Sequence, residues 1–202
     1  MNHILLVIFD LLGTFAFAVS GVLAAKQKRL DLFGITFIAF VTACGGGIFR
    51  DLSLGATPPA AFDDWRYMTV PVVAVAFTLV FRRYIERLSF PIFLFDAIGL
   101  GVFAVSGAHK ALVWGASPQM AVFMGMLTSI GGGMIRDIML NRTPDVLSKE
   151  IYGLAALVGA TIMTLGSYTN MHNIIVAAIG ASVAFLIRFL SFHRGWELPR
   201  FS

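Results

Sequence analysis

At 202 residues, 58% hydrophobic and only 13% charged, with a mean hydropathy of +0.84, the chain is too apolar for a soluble domain. A globule of this size needs polar residues to cover its surface, so the surplus fits a surface facing lipid. The formal charge of +4 and pI near 9.6 do not point to nucleic acid, because the basic residues form no single run and do not alternate with stacking aromatics.

A membrane helix needs about 20 mostly apolar residues. Taken in chain order, seven stretches qualify: 4–25, 32–53, 64–82, 91–111, 118–140, 147–168 and 172–192. The first is too long for a signal-peptide core and is followed by further spans, so it reads as a retained helix. Short connections carry the turn and charge signals: KQKRLD at 26–31, Pro58-Pro59, RRYIERLSFP at 82–91, WGASP at 114–118, NRTPD at 141–145 and YTNMHN at 168–173. A polar tail, HRGWELPRFS, closes the chain. Cys44 is the only cysteine and lies in an apolar run, which excludes an intrachain disulfide. His3, His109, His172 and His193 show no metal-ligand spacing.

Displaced by 86 residues, the chain matches itself. DLLGTFAFAVSG at 10–21 aligns with DAIGLGVFAVSG at 96–107, and TACGGGIFRDLSLGATP at 42–58 with TSIGGGMIRDIMLNRTP at 128–144. The register holds across two spans and a loop without a gap. Each copy carries three helices, and an odd number inserts the second copy upside down, an architecture common in transporters. The expected fold is therefore an all-α membrane protein of seven transmembrane helices. It forms a single transmembrane domain over 1–202: a first repeat at about 4–84, an inverted second at about 90–168, and an extra helix at about 172–192.

Lysine and arginine placement sets orientation. With the amino terminus on one side, the opposite side carries Lys26, Lys28, Arg29, Arg82, Arg83, Arg87, Arg142, Lys149, Arg194 and Arg200. The amino-terminal side holds Arg66 and Lys110, while Arg50, Arg136 and Arg188 lie inside or at the ends of spans. The amino terminus is expected outside and the carboxyl terminus in the cytoplasm.

The doubled motifs supply the candidate functional residues. Three consecutive glycines cost a helix about 1 kcal/mol each relative to alanine. Gly45, Gly46, Gly47 and Gly131, Gly132, Gly133 therefore predict kinked or unwound segments, tolerated at membrane depth only where they line a wet cavity or are buried in protein. The alternative is close helix packing through small residues. Ser20-Gly21 and Ser106-Gly107 mark a second symmetric pair of weak points or, equally, a small-residue packing face. Arg50-Asp51 and Arg136-Asp137 follow the triplets. Neighbours on a helix do not face each other, so pairing is expected across the repeat, Arg50 with Asp137 and Arg136 with Asp51, or alternatively with Asp10 and Asp96. Asp10 and Asp96 sit inside their spans, where a carboxylate is costly and faces the bundle interior. Lys110 follows the second AVSG and either reaches into the same cavity or snorkels to the surface. The tally over these motifs, four aspartates against two arginines, favours a cation. Nothing forms a catalytic set: no P-loop, HExxH or nucleophile elbow appears, and no enzyme, metal or cofactor is expected.

The doubled GGGxxRD, as GGGIFRD at 45–51 and GGGMIRD at 131–137, with AVSG at 18–21 and 104–107, resembles the prokaryotic branch of the trimeric intracellular cation channel family. That family's domain is also labelled a bacterial glycine transporter. The resemblance covers roughly residues 4–192. It implies a homotrimer in the prokaryotic inner membrane, with a monovalent cation pore through each protomer lined by the glycine-rich kinks of the second and fifth spans. Animal members carry a phosphoinositide-linked lysine motif near the second glycine site; glycines stand there in this chain, so lipid binding is not carried over beyond ordinary membrane lipid. A potassium-permeable, weakly selective channel is the expectation, because no carbonyl filter like TVGYG is present. A secondary transporter of a small amino acid such as glycine is the alternative.

Overall fold

The computed structural model describes residues 3–85, 87, 88, 90–148 and 151–196. Among the described residues ten helices follow in order: α1 His3–Lys26, α2 Leu32–Ser53, α3 Ala60–Asp63, α4 Trp65–Val80, α5 Arg82–Ile85, α6 Pro91–Val113, α7 Pro118–Met139, α8 Asp145–Ser148, α9 Tyr152–Gly166 and α10 Asn173–Arg194. Seven have fifteen residues or more and fall on the seven predicted stretches. Four of these, counting α1 from Val7, are long and apolar enough to cross a membrane by length and composition.

The starts and stops follow local chemistry. Asp31 caps α2, its Oδ1 accepting from the Gly34 amide at 2.8 Å. Pro91 and Pro118 open α6 and α7, where a missing amide proton costs nothing. Gly195 ends α10 in the left-handed region at φ 59°. Two stretches are shorter than expected. Residues 82–85 break away from α4 as a separate turn, and 145–148 form their own short helix before α9, leaving α4 with 16 residues and α9 with 15.

Helix α1 packs against α2, α4 and α6; α7 packs against α2, α6 and α9; α10 covers α6 and α9. Side-chain contacts show which connections share an end. Arg142 Nη2 donates to Gln27 Oε1 at 2.7 Å, joining the α1–α2 and α7–α8 connections. Phe192, late in α10, stacks on Phe93, early in α6, at 4.1 Å between centroids. At the other end Lys110, late in α6, meets Asp51, late in α2, and His109 lies 3.3 Å from the Asn173 side chain at the start of α10. Lys26, Lys28, Arg29, Arg142 and Arg194 thus gather at one end, and Arg66 and Lys110 at the other. Lys149 and Arg200 lie outside the described residues. The surface exposes Phe33, Phe37, Val72, Val80 and Leu186, among many large apolar side chains.

Candidate functional site

Two clusters of buried charge stand at opposite ends of the bundle. In the first, Asp10 from α1, Arg50 and Asp51 from α2, Tyr67 from α4 and Lys110 from α6 converge. Arg50 Nε donates to Asp51 Oδ1 at 2.8 Å, and the same oxygen takes an ion pair from Lys110 Nζ at 2.7 Å. Asp51 Oδ2 accepts from the Ala60 amide at 3.0 Å, which caps α3. Asp10 Oδ2 accepts from the Tyr67 hydroxyl at 2.5 Å, while Asp10 Oδ1 has no partner among the described residues.

The second cluster repeats this plan more tightly. Arg136 Nε donates to Asp137 Oδ1 at 2.9 Å, and Asp137 Oδ2 accepts from the Asp145 amide at 3.2 Å, capping α8. Arg136 Nη1 donates to Asp96 Oδ1 at 2.7 Å and to Ser20 Oγ at 2.5 Å. Arg136, Asp96 and Asp137 are all buried. Ser106 matches Ser20 in the repeat, but it touches no arginine and its Oγ is unpartnered.

The cross-repeat pairs do not form. Arg50 pairs with its own neighbour Asp51, and Arg136 with Asp137. The reason is geometric. Helices α2 and α7 cross antiparallel at the glycine triplets: a Cβ on Gly46 would overlap the Thr128 carbonyl oxygen, and one on Gly132 the Thr42 carbonyl oxygen. Each arginine lies one turn beyond the crossing, in opposite directions. The long arginine arm also folds back along the helix, so its Nε reaches a carboxylate that a shorter side chain would miss. Of the alternative partners, Asp96 takes Arg136, whereas Asp10 goes to Tyr67.

The glycine segments also depart from expectation. Helices α2 and α7 are helical without interruption through Gly45–Gly47 and Gly131–Gly133. Helices α1 and α6 likewise continue through Ser20-Gly21 and Ser106-Gly107. Close approach explains most of these glycines. A Cβ on Gly21 would lie 2.8 Å from Thr42 Oγ1, and one on Gly107 2.7 Å from Thr128 Oγ1, so the AVSG motifs seat α1 on α2 and α6 on α7. Gly47 and Gly133 differ. Beside Gly47 a Cβ would meet only Arg50 Nη2, at 3.7 Å; beside Gly133 it would meet the Tyr152 hydroxyl at 2.9 Å, Asp96 Oδ1 at 3.4 Å and Arg136 Nη2 at 3.7 Å. These two glycines face the polar clusters rather than another backbone.

A cavity of about 490 Å³ leads to the first cluster from the end bearing Arg66 and Trp114, and Asp10, Arg50, Tyr67, Ser106 and Lys110 line it. At its mouth the hydrogen-bonded Arg66 guanidinium, 2.9 Å away, holds the Asp64 carboxyl below the usual carboxylate range. Asp10, Arg50 and Tyr67 also line a second cavity of about 10 Å³, room for about one water, whose walls include Thr14, Cys44, Gly47 and Phe103. Phe103 then meets Phe17 with ring centroids 5.3 Å apart, both buried, and Phe17 lies against Gly99 and Gly132. Phe17 and Phe103 are themselves 86 residues apart.

Three residues at these clusters were given no role by the sequence reading. Tyr67 and Tyr152 occupy matching places beside Asp10 and Asp96, but 85 residues apart, because Pro59 has no counterpart after Pro144. Continuing the alignment with one gap would have found them. Arg188 of α10 lies outside the repeat; it is buried, with its guanidinium 4.5 Å from the Tyr152 ring centroid and 5.1 Å from that of Phe93. With Lys110 and Arg188 included, each cluster holds two carboxylates and two cations, so the excess of two negative charges disappears.

The family model described as glycine transporter matches the chain twice, over residues 7–83 and 93–168. A UPF0126 membrane protein of Vibrio cholerae is 38% identical over 98% of this chain and 83% of its own length. The UPF0126 inner membrane protein YadS of Escherichia coli K12 is 37% identical over 96% and 94% respectively. The solved structure of the trimeric intracellular cation channel orthologue from Rhodobacter sphaeroides superposes with a TM-score of 0.86, at 34% identity, covering 95% of this chain and 99% of that one. Together with the doubled GGGxxRD and the paired charge clusters, these matches show that the chain belongs to the prokaryotic trimeric intracellular cation channel family, whose domain model carries the glycine transporter description.

Proposed function

We propose that the protein is a channel for monovalent cations, potassium among them, with one path inside each protomer of a homotrimer in the cytoplasmic membrane. The carrying observation is that Asp10, Arg50 and Tyr67 line both the large cavity and the small one, in a fold shared with solved cation channels. Seven spans in two inverted repeats, 4–84 and 90–168, with α10 outside them, account for the double family match and for the antiparallel crossing at Gly46 and Gly132. Gly47 and Gly133 line the path, and Asp10, Asp51, Asp96 and Asp137 present carboxylates to the ion. Lys110 and the arginines hold those carboxylates in place. In this conformation the path is closed twice: by the apolar Phe17–Phe103 contact and by the Arg136 network on Ser20, Asp96 and Asp137. An apolar constriction blocks ions by excluding water.

Carriage of a small amino acid such as glycine is the second reading, favoured by the family description and by an architecture suited to alternating access. Purified protein in planar bilayers separates the two. Unitary potassium currents with no saturable glycine uptake are expected; saturable uptake without currents establishes the carrier.

A further inference from the structure

The two clusters are matched in charge but not in how their second cation is held. Lys110 reaches Asp51 directly at 2.7 Å and is part-exposed to the large cavity. Arg188 has no such partner. It is 2% exposed, its Nε and Nη2 have no hydrogen-bond acceptor, and among the described residues no carboxylate pairs with it. Two aromatic rings, Phe93 and Tyr152, flank it instead. Ring faces attract a cation but neutralise none of its charge.

The Tyr152 hydroxyl is buried within reach of the Asp96 carboxylate and of nothing else polar that would answer Arg188. Buried polar groups are normally paired, so the two unpaired nitrogens of Arg188 beside that tyrosine call for an explanation. The Tyr152 hydroxyl lies against Gly133, beside Asp96 Oδ1 and Arg136 Nη2. Arg188 is therefore one aromatic ring away from the inner stretch of the proposed path. It stands near its carboxylates without cancelling either by contact.

We infer that Arg188 is a specificity-determining residue: its unpaired charge sets the electrostatic potential of the inner cluster and holds down its preference for cations over anions. The inference rests on the channel reading. Without Arg188 the inner cluster carries Asp96 and Asp137 against Arg136 alone, a net negative site of the kind that concentrates cations. With Arg188 the site is neutral, and the path discriminates by charge only weakly. Helix α10, which lies outside the repeat, thus supplies an asymmetry that the duplicated halves lack.

Three variants separate charge from packing. R188M keeps the length and the contact with both rings but removes the charge. R188Q removes the charge and keeps hydrogen-bonding capacity. R188K keeps the charge and loses the flat stacking surface. Reversal potentials are measured in planar bilayers under a potassium chloride gradient. R188M and R188Q should raise the potassium-to-chloride permeability ratio by about threefold, the scale expected of one unit charge acting across a wet path. R188K should stay at the wild-type ratio. The difference should shrink as the salt concentration rises, because mobile ions screen it; a purely structural role would not follow ionic strength. An unchanged ratio in conducting R188M and R188Q, or a shift in R188K equal to theirs, overturns the inference and leaves the channel reading standing. If R188M does not assemble, R188Q and R188K alone decide it. Wild-type protein that carries no current overturns the channel reading, and the inference falls with it.

Discussion

Ser20 and Ser106 hold matching positions in the two halves, yet only Ser20 touches an arginine. Ser20→Ala removes an acceptor from a buried guanidinium and should cost about 1–3 kcal/mol. Ser106→Ala removes a hydroxyl that has no partner and should change stability by less than about 0.5 kcal/mol. Thermal unfolding of the two variants in one detergent checks the contrast; equal losses would contradict the geometry. Arg136→Ala is harsher, because it strips a cation from both Asp96 and Asp137, and about 3–5 kcal/mol of destabilisation is expected. Where the Ser20→Ala protein assembles, its open probability should exceed wild type, since the network proposed to close the inner end has lost one bond. The residues of the second cluster were readable as buried charges from their doubled motif, but their partners were not. The rule that helical neighbours do not face each other describes where side chains start, and an arginine ends far from its start. The antiparallel crossing of α2 and α7 itself ruled out Arg50 with Asp137, because it sends the two motifs to opposite ends. Arg188 was visible as an arginine inside a span, but its surroundings were not, because they are aromatic rings in distant spans.

At the scale of elements, the α2–α7 crossing depends on glycines that are not equivalent. Gly46→Ala and Gly132→Ala each drive a methyl group into a backbone carbonyl of the facing helix, and backbone yields poorly. Each should cost about 1–3 kcal/mol or more. Gly47→Ala meets nothing nearer than Arg50 Nη2 at 3.7 Å, and it replaces the poorer helix former. Stability should hold or rise by up to about 1 kcal/mol, while unitary conductance changes if the space beside Gly47 carries ions. Equal destabilisation by all three, read by denaturation in detergent, would show that the triplet packs as a unit. The long helices were legible because a run of apolar residues admits little else. Their short satellites were not: α3 and α8 are single turns capped by Asp51 and Asp137 from the preceding helix, an interaction between segments that no local pattern displays. Tyr67 and Tyr152 were hidden by one extra proline.

For the whole molecule, the basic end formed by Lys26, Lys28, Arg29, Arg142 and Arg194 should face the cytoplasm. A reporter active only in the cytoplasm, fused after Ser202, is expected to work; a stably expressed but silent fusion reverses the orientation. Cross-linking in mild detergent should stop at three copies, and a uniform monomer mass in several lipids would refute the trimer. The shortness of α4 and α9 has a consequence for the surrounding bilayer. At about 1.5 Å per residue they reach about 24 and about 22 Å, against a hydrocarbon layer of about 30 Å. Both show apolar side chains at the surface, Val72 and Val73 on one and Leu154 and Leu157 on the other. Where lipid meets these faces its tails must shorten or compress to match, and such hydrophobic mismatch costs a fraction of a kcal/mol for every ångström. Acyl-chain length is then expected to act as a thermodynamic variable: thin bilayers match α4 and α9 at rest, and thick ones strain them.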